Sequence, residues 1–252
     1  MSYKPPFDLN EDILSLTAEV SERVENMSAS IGLDKSPKLR RENRIKTIQG
    51  TLAIESNTLS VEQVTAVIDG KRVLAPPKDI EEVKNAFEIY ELLDTLNPYS
   101  VTDLLKAHGV LMRGLIQDSG AFRTKSVGVV DSKSGEILHF GTLPNYVESA
   151  TVELLEWTEN SNLHPLIKSS VFHYEFEVIH PFLDGNGRLG RLWHTLILSK
   201  WNYIFAYLPI ESMIFENQTD YYKCINECNI KTDSTDFIIF MLNIIMQALD
   251  EI

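Results

Sequence analysis

From residue 11 to residue 250 the apolar residues of this chain recur at helical spacing, and one stretch alone departs from it. The pattern predicts helices over 11–31, 36–58, 79–96, 101–116, 145–159, 164–179, 187–201, 218–229 and 235–250. Ile45, Ile48 and Leu52 form one stripe; Ile80, Val83, Phe87 and Tyr90 form another, with Pro76 and Pro77 before it and Pro98 after it as punctuation. The exception runs from Lys125 to Phe140. Its alternating residues, split by Asp131-Ser-Lys-Ser-Gly135, read as strand, turn, strand. A lone hairpin cannot complete a sheet and is marginally stable in water. It must lie on the helical body as a surface hairpin, or pair with something external. The expected fold class is therefore all-α, a helical bundle carrying one small β-hairpin. Residues 1–75 are too short for a core of their own and read as an N-terminal helical extension of a main domain over 76–252.

Composition narrows the function classes. The chain has 252 residues, 44% hydrophobic and 23% charged, which excludes a disordered chain or a disulfide scaffold. With 23 basic and 36 acidic residues the formal charge is −13, so a nucleic-acid partner is not expected; such binding needs excess Lys and Arg to displace counterions. The charge is uneven, since residues 35–46 hold six basic residues against Glu42 alone. Cys224 and Cys228 read as two free thiols near one helix face, consistent with a reducing cytoplasm. Met-Ser-Tyr-Lys-Pro-Pro at the start has no apolar core of a secretory signal. The most apolar window, Phe237 to Leu249, is shorter than the roughly 20 residues a spanning helix needs and is interrupted by Asn243 and Gln247, so it reads as a core helix and no membrane partner is expected.

The chemistry is concentrated in His180-Pro-Phe-Leu-Asp-Gly-Asn-Gly-Arg-Leu-Gly-Arg191. An apolar helix with Val171, Phe172, Phe176 and Ile179 must end at Pro181, and a second begins after a loop of turn and cap residues. Helix, Gly-rich loop and helix N-terminus make an anion site, because first-turn N–H groups point outward and the helix dipole favours negative charge. Arg188 and Arg191, three apart on one face, suit successive phosphates. Asp184 is a hard oxygen ligand suited to Mg²⁺. His180 titrates near neutral pH and suits a general base.

These twelve residues resemble the signature of the Fic family, His-Pro-Phe-x-(Asp/Glu)-Gly-Asn-Gly-Arg-x-x-Arg, at every fixed position. The resemblance extends over most of residues 40–250. It implies a helical fold with a β-hairpin flap, here 125–140, and transfer of AMP from ATP to a Ser, Thr or Tyr hydroxyl of a target protein. By this resemblance His180 deprotonates the hydroxyl, Asp184 holds Mg²⁺ on the α- and β-phosphates, and Phe182 anchors the loop. Gly185, Asn186 and Gly187 cradle the anion, and Arg188 and Arg191 bind the outer phosphates. The Doc toxins, which transfer phosphate, have Ala and Lys within the glycine stretch; this chain keeps Gly-Asn-Gly-Arg, which implies AMP transfer. The flap residues Ile137, Leu138, His139 and Phe140 would cover the nucleotide and add a strand to the target. Arg123 stands where the family has an arginine before the flap, whereas His139-Phe-Gly-Thr-Leu-Pro144 departs from the usual His-x-Pro-Pro. Tyr221, Tyr222 and Asn229 match positions near adenine and ribose, or read simply as core tyrosines and a helix-end Asn.

Glu55 continues the stripe of Ile45, Ile48 and Leu52. Either the helix has ended and Glu55 is solvated, or it faces inward and needs a partner. Thr51-Leu-Ala-Ile-Glu55-Ser-Asn57 resembles the Fic inhibitory motif, (Ser/Thr)-x-x-x-Glu-(Gly/Asn), with Ser56 as a departure. That resemblance implies pairing of Glu55 with Arg191 and self-inhibition by an N-terminal helix. It leaves open an AMP-removing hydrolase using the same glutamate, and a catalytically silent nucleotide-binding module. The class is often dimeric, so a homodimer and self-modification are further expectations.

Overall fold

Two helices buried on nearly every side, α7 (Pro165–Ile179) and α8 (Asn186–Trp201), form the centre of the molecule and meet through the loop between them. α7 shows no apolar stripe because it has no solvent face. Val171, Phe172, Tyr174 and Phe176 are all buried, and Ser169 and Ser170 turn their hydroxyls back onto the Leu166 carbonyl. In this computed structural model residues 3–30, 36–130 and 137–251 are described.

Around that pair lie α1 (Glu11–Ser30), α2 (Pro37–Ile54), α3 (Val61–Ile68), α4 (Pro77–Glu91), α5 (Val101–Leu111), α6 (Val147–Asn160), α9 (Ile210–Glu216), α10 (Gln218–Lys231) and α11 (Thr235–Asp250). α3 and α9, eight and seven residues long, are additions to the pattern expected from sequence; each is shorter than the roughly 11–18 residues over which periodicity is read. Ser60 starts α3 with a capping box to Gln63, a local signal independent of periodicity.

The N-terminal helices share the core of the rest. α1 packs on α11, and α2 runs along α9 and touches α4 and α8. Ile45, Ile48 and Leu52 of α2 are buried with Trp193, Leu196 and Ile197 of α8. α2 ends sooner than the expected 58. Its last helical residue is Ile54, and Ser56 turns the chain with φ 69°, so that Asn57 leads into α3.

Strands Gly128–Val130 (β1) and Ile137–Phe140 (β2) pair antiparallel, with Val129 opposite His139, and are the β structure of the described residues. The ladder is shorter than the stretch from 125 that alternation suggested. The connecting residues 131–136 lie outside the described residues, as do the side chains of Ile137, Leu138, His139 and Phe140. No helix among the described residues is long and apolar enough to cross a membrane. Cys224 and Cys228 are free thiols on α10.

Candidate active site

The loop from His180 to Gly185 is fixed from within and from below. His180 ends α7 in the left-handed region, φ 51° and ψ 63°, which turns the chain off the helix axis ahead of Pro181. Phe182 is buried and stacks on His108 of α5 at 3.7 Å between ring centroids. His108 Nδ1 accepts from Gly120 N–H at 2.9 Å, so its Nε2 carries the proton and donates to the Asp184 carbonyl at 3.0 Å. Burial holds this imidazole neutral, with its pKa pulled down to about 4. The Asn186 side chain closes the loop: Oδ1 accepts from Phe182 N–H and Nδ2 donates to Phe182 O, both at 2.9 Å. Its amide is thus spent on the loop, and its share in any anion cradle is its backbone N–H.

α8 starts at the mouth of this loop. Gly185 caps it in the left-handed region, and Leu189 N–H, bonded to Gly185 O, is the first amide to find an intrahelical partner. The amides of Asn186, Gly187 and Arg188 precede it, the first-turn donors that attract anions. Asp184 Oδ1 accepts from Gly185 N–H at 2.6 Å and from Arg188 Nη2 at 3.1 Å. Its other oxygen has no partner among the described residues, and the side chain is half exposed. One free carboxylate oxygen beside phosphate donors fits Mg²⁺, which takes most of its ligands from phosphates and water. No cluster of three or more His, Cys, Asp or Glu suited to a metal occurs among the described residues.

Both signature arginines are buried and already paired. Arg188 Nη1 donates to Glu82 Oε1 at 3.0 Å. Arg191, 2% exposed, donates from Nη2 to Glu55 Oε1 at 2.7 Å and to Thr51 O at 3.1 Å, and from Nε to Thr51 Oγ1 at 3.0 Å. Burial alone would lower the Arg191 pKa, but the Glu55 carboxylate beside it raises it on balance. Glu55 is therefore both things considered for it: α2 has ended, and the carboxylate still faces inward onto α8.

The Fic/DOC family model matches residues 98–198. The crystal structure of a Fic family protein from Desulfovibrio desulfuricans G20 superposes with a TM-score of 0.95 at 46% identity, covering 99% of this chain and 76% of that one. This chain belongs to the Fic family. Fic-1 from C. elegans shares the fold, with a TM-score of 0.72 at 19% identity over 94% of this chain and 70% of that one. Protein adenylyltransferase fic-1 of Caenorhabditis briggsae is 28% identical over 206 residues, 77% of this chain. The match spans 38% of that relative's length.

Against the Fic signature, the remaining expected residues divide. Tyr221 is buried, its hydroxyl 3.0 Å from His173 Nε2. Tyr222 is partly exposed, and the partial burial of its hydroxyl together with the Glu55 charge pushes its pKa up to about 12. Asn229 Oδ1 accepts from Tyr174 OH at 2.9 Å, at the far end of α10.

Three further residues shape the site. Glu82 is 4% exposed and takes Arg188 on one oxygen and Asn57 Nδ2, at 2.8 Å, on the other. His108 lies between Leu104 and Leu111 on an apolar stripe, a legible sign of burial. Arg123, also buried, donates from Nε to His180 O at 2.6 Å, from Nη1 to Lys125 O at 2.8 Å and from Nη2 to Thr142 O, tying the base of the hairpin to the end of α7.

Proposed function

We propose that this protein is a Mg²⁺-dependent protein adenylyltransferase that transfers AMP from ATP to a Ser, Thr or Tyr hydroxyl of a target protein and is held off by its own Glu55. The observation that carries the reading is the pairing of Glu55 with Arg191 at 2.7 Å inside a complete Fic signature. Three of the five N–H donors of Arg191, the one on Nε and the two on Nη2, are spent on Thr51 and Glu55, and the Glu55 carboxylate meets the positive charge that a γ-phosphate would need.

In the transfer, His180 accepts the proton of the target hydroxyl, whose oxygen attacks the α-phosphorus. The bond to the β-phosphate breaks and pyrophosphate leaves. The first amides of α8 and Arg188 hold the outer phosphates against this charge movement. Asp184 would hold Mg²⁺ through its free oxygen, and the ion supplies charge neutralisation of the phosphates. Residues 125–140 would serve as the flap that receives an extended target segment. Two free cysteines agree with a reducing, cytoplasmic setting.

The second oxygen of Glu55 has no partner among the described residues, which supports an AMP-removing activity in which it positions a water. Incubation of cell lysate with α-labelled ATP distinguishes the two. Glu55→Gly should raise labelling of a target or of the protein itself, and adding His180→Ala should abolish it. A Glu55→Gly protein that binds ATP and labels nothing overturns the transferase reading. Loss of AMP from a labelled target with Glu55 present, and not with Glu55→Gly, identifies the hydrolase.

A further inference from the structure

A carboxylate with no assigned role lies behind the proposed base. Glu177 is on α7, one helical turn before His180. Its Oε2 is 3.8 Å from His180 Nδ1, and its backbone carbonyl is 3.3 Å from the same nitrogen. Its Oε1 is buried with no hydrogen-bond partner. Room for that oxygen exists because residue 190 is glycine: a Cβ there would fall 2.9 Å from Oε1 and 3.3 Å from atoms of His173 and Phe176. α8 thus leaves room at Gly190 for the Glu177 carboxyl group inside the bundle.

We infer that Glu177 is the positioning residue of His180: its carboxylate, behind Nδ1, holds the ring with Nε2 turned away from α7 and supports the positive charge the imidazole gains when it takes the hydroxyl proton. The inference rests on the transferase reading for its catalytic meaning and on the geometry alone for the pairing. Charge support of this kind needs no hydrogen bond, since an opposite charge within about 4–6 Å already favours the protonated imidazole.

The surroundings keep this carboxylate responsive. Burial raises its pKa to about 7; Arg191 of α8 lowers it and Glu55 at the end of α2 raises it. Tyr221 and Tyr222 face it from α10, His173 from its own helix, and Arg123 holds the carbonyl of His180 from the hairpin side. Departure of Glu55 from Arg191 removes a negative charge from this group and eases ionisation of Glu177, so relief of inhibition also strengthens the base.

The test compares Glu55→Gly with Glu55→Gly/Glu177→Gln, reading the His180 imidazole by NMR titration and AMP transfer by label. Removing the carboxylate should lower the His180 pKa by about one unit. It should move the acid limb of kcat to lower pH and reduce the plateau kcat about tenfold, with KM for ATP within about twofold. Glu177→Asp, which keeps the charge, should restore part of each change. A His180 titration that does not move with Glu177→Gln overturns the inference. So does a fall in transfer with that titration unmoved, because the carboxyl then serves packing alone. If the titration shifts while neither protein transfers AMP at any pH, the pairing stands and the transferase reading falls.

Discussion

Glu82 and Arg188 are paired in the floor of the site, Oε1 to Nη1 at 3.0 Å, with both side chains almost fully buried. The other oxygen of Glu82 holds Asn57, two residues beyond Glu55. The two arginines of the Fic signature are thus each met by a carboxylate from upstream in the chain, Arg188 by Glu82 and Arg191 by Glu55. Their surroundings differ. Glu82 is 5% exposed in its side chain and cross-braced to the turn after α2, whereas Glu55 is 30% exposed on that turn. Exposure thus sets the two pairs apart, and on the proposed reading the Glu55–Arg191 contact is the one that opens.

Breaking the Glu82–Arg188 pair should be costly. Glu82→Gln leaves the buried Arg188 guanidinium with the half-exposed Asp184 as its remaining carboxylate, and the cost should approach the roughly 3–5 kcal/mol of breaking a buried pair. Urea unfolding of Glu82→Gln, Arg188→Met and the double variant should show a double mutant more stable than the sum of the singles predicts. Strict additivity would mean that the pair has no energetic coupling.

Weakening the opening contact should activate without unfolding. Thr51→Val keeps the shape of the side chain and removes the Oγ1 that accepts from Arg191 Nε. A hydrogen bond to a charged group contributes about 1.5–3 kcal/mol. Initial rates of labelling with α-labelled ATP should rise severalfold, short of the rise in Glu55→Gly, with the thermal midpoint lowered by several degrees and the protein still folded. An unaltered rate would place the whole restraint on Glu55.

Gly50 sets how closely α2 can lie on α9. A Cβ there would fall 2.8 Å from the backbone carbon of Glu211 and the backbone nitrogen of Ser212, neither of which can turn aside. Gly50→Ala should therefore lift α2 away and carry Thr51 and Glu55 off Arg191. Overpacking of this kind costs about 1–3 kcal/mol. The expected signature is a lower thermal midpoint together with higher labelling. A destabilised protein that labels no faster would separate the α2–α9 contact from inhibition.

The buried groups make stability depend on pH in two opposed directions. His108 and His194 stay neutral in the folded chain down to about 4 and about 3, because burial disfavours their charged forms. An unfolded chain protonates them below about 6.5, so it binds more protons across the window from 6.5 to 4 and stability falls as pH falls. Glu177 acts in the other sense. Its proton is kept up to about 7 when folded and lost near 4.5 when unfolded, so its contribution is lost as pH rises from 4.5 to 7. Urea unfolding at pH 4.5, 5.5 and 6.5 should show a smaller acid-side loss in His108→Gln than in the parent, by on the order of 2–3 kcal/mol over the window. Parallel curves would exclude His108 as a source of the dependence.

Much of this site is legible in the chain alone, because its parts are local. A helix that must stop at Pro181, a run of Asp, Gly and Asn, and two arginines one turn apart specify an anion site whatever surrounds them. The stripe of Ile45, Ile48 and Leu52 likewise marks Glu55 as either a solvated residue past the helix end or an inward-facing one. The helical class follows from spacing, and so does the one interruption at residues 125–140. What escaped that reading is long-range or cooperative. α3 and α9 are shorter than the roughly 11–18 residues over which periodicity is read. Glu82 escaped it because its partner, Arg188, is 106 residues away. Whether Asn186 offers its side chain or its backbone depends on the fold of the loop, and the loop bends so that the amide meets Phe182.

Sequence by itself determined which groups can do chemistry here: a histidine, an aspartate, a helix N-terminus and two arginines, with a glutamate upstream. Tertiary structure alone decided how those groups are spent. It laid the end of α2 on α8 so that Arg191 is occupied, and it opened at Gly190 the space that places Glu177 behind His180. The reason is physical: the donors and acceptors are written residue by residue, but their pairing depends on which helices share a buried face, and burial is a property of the whole chain.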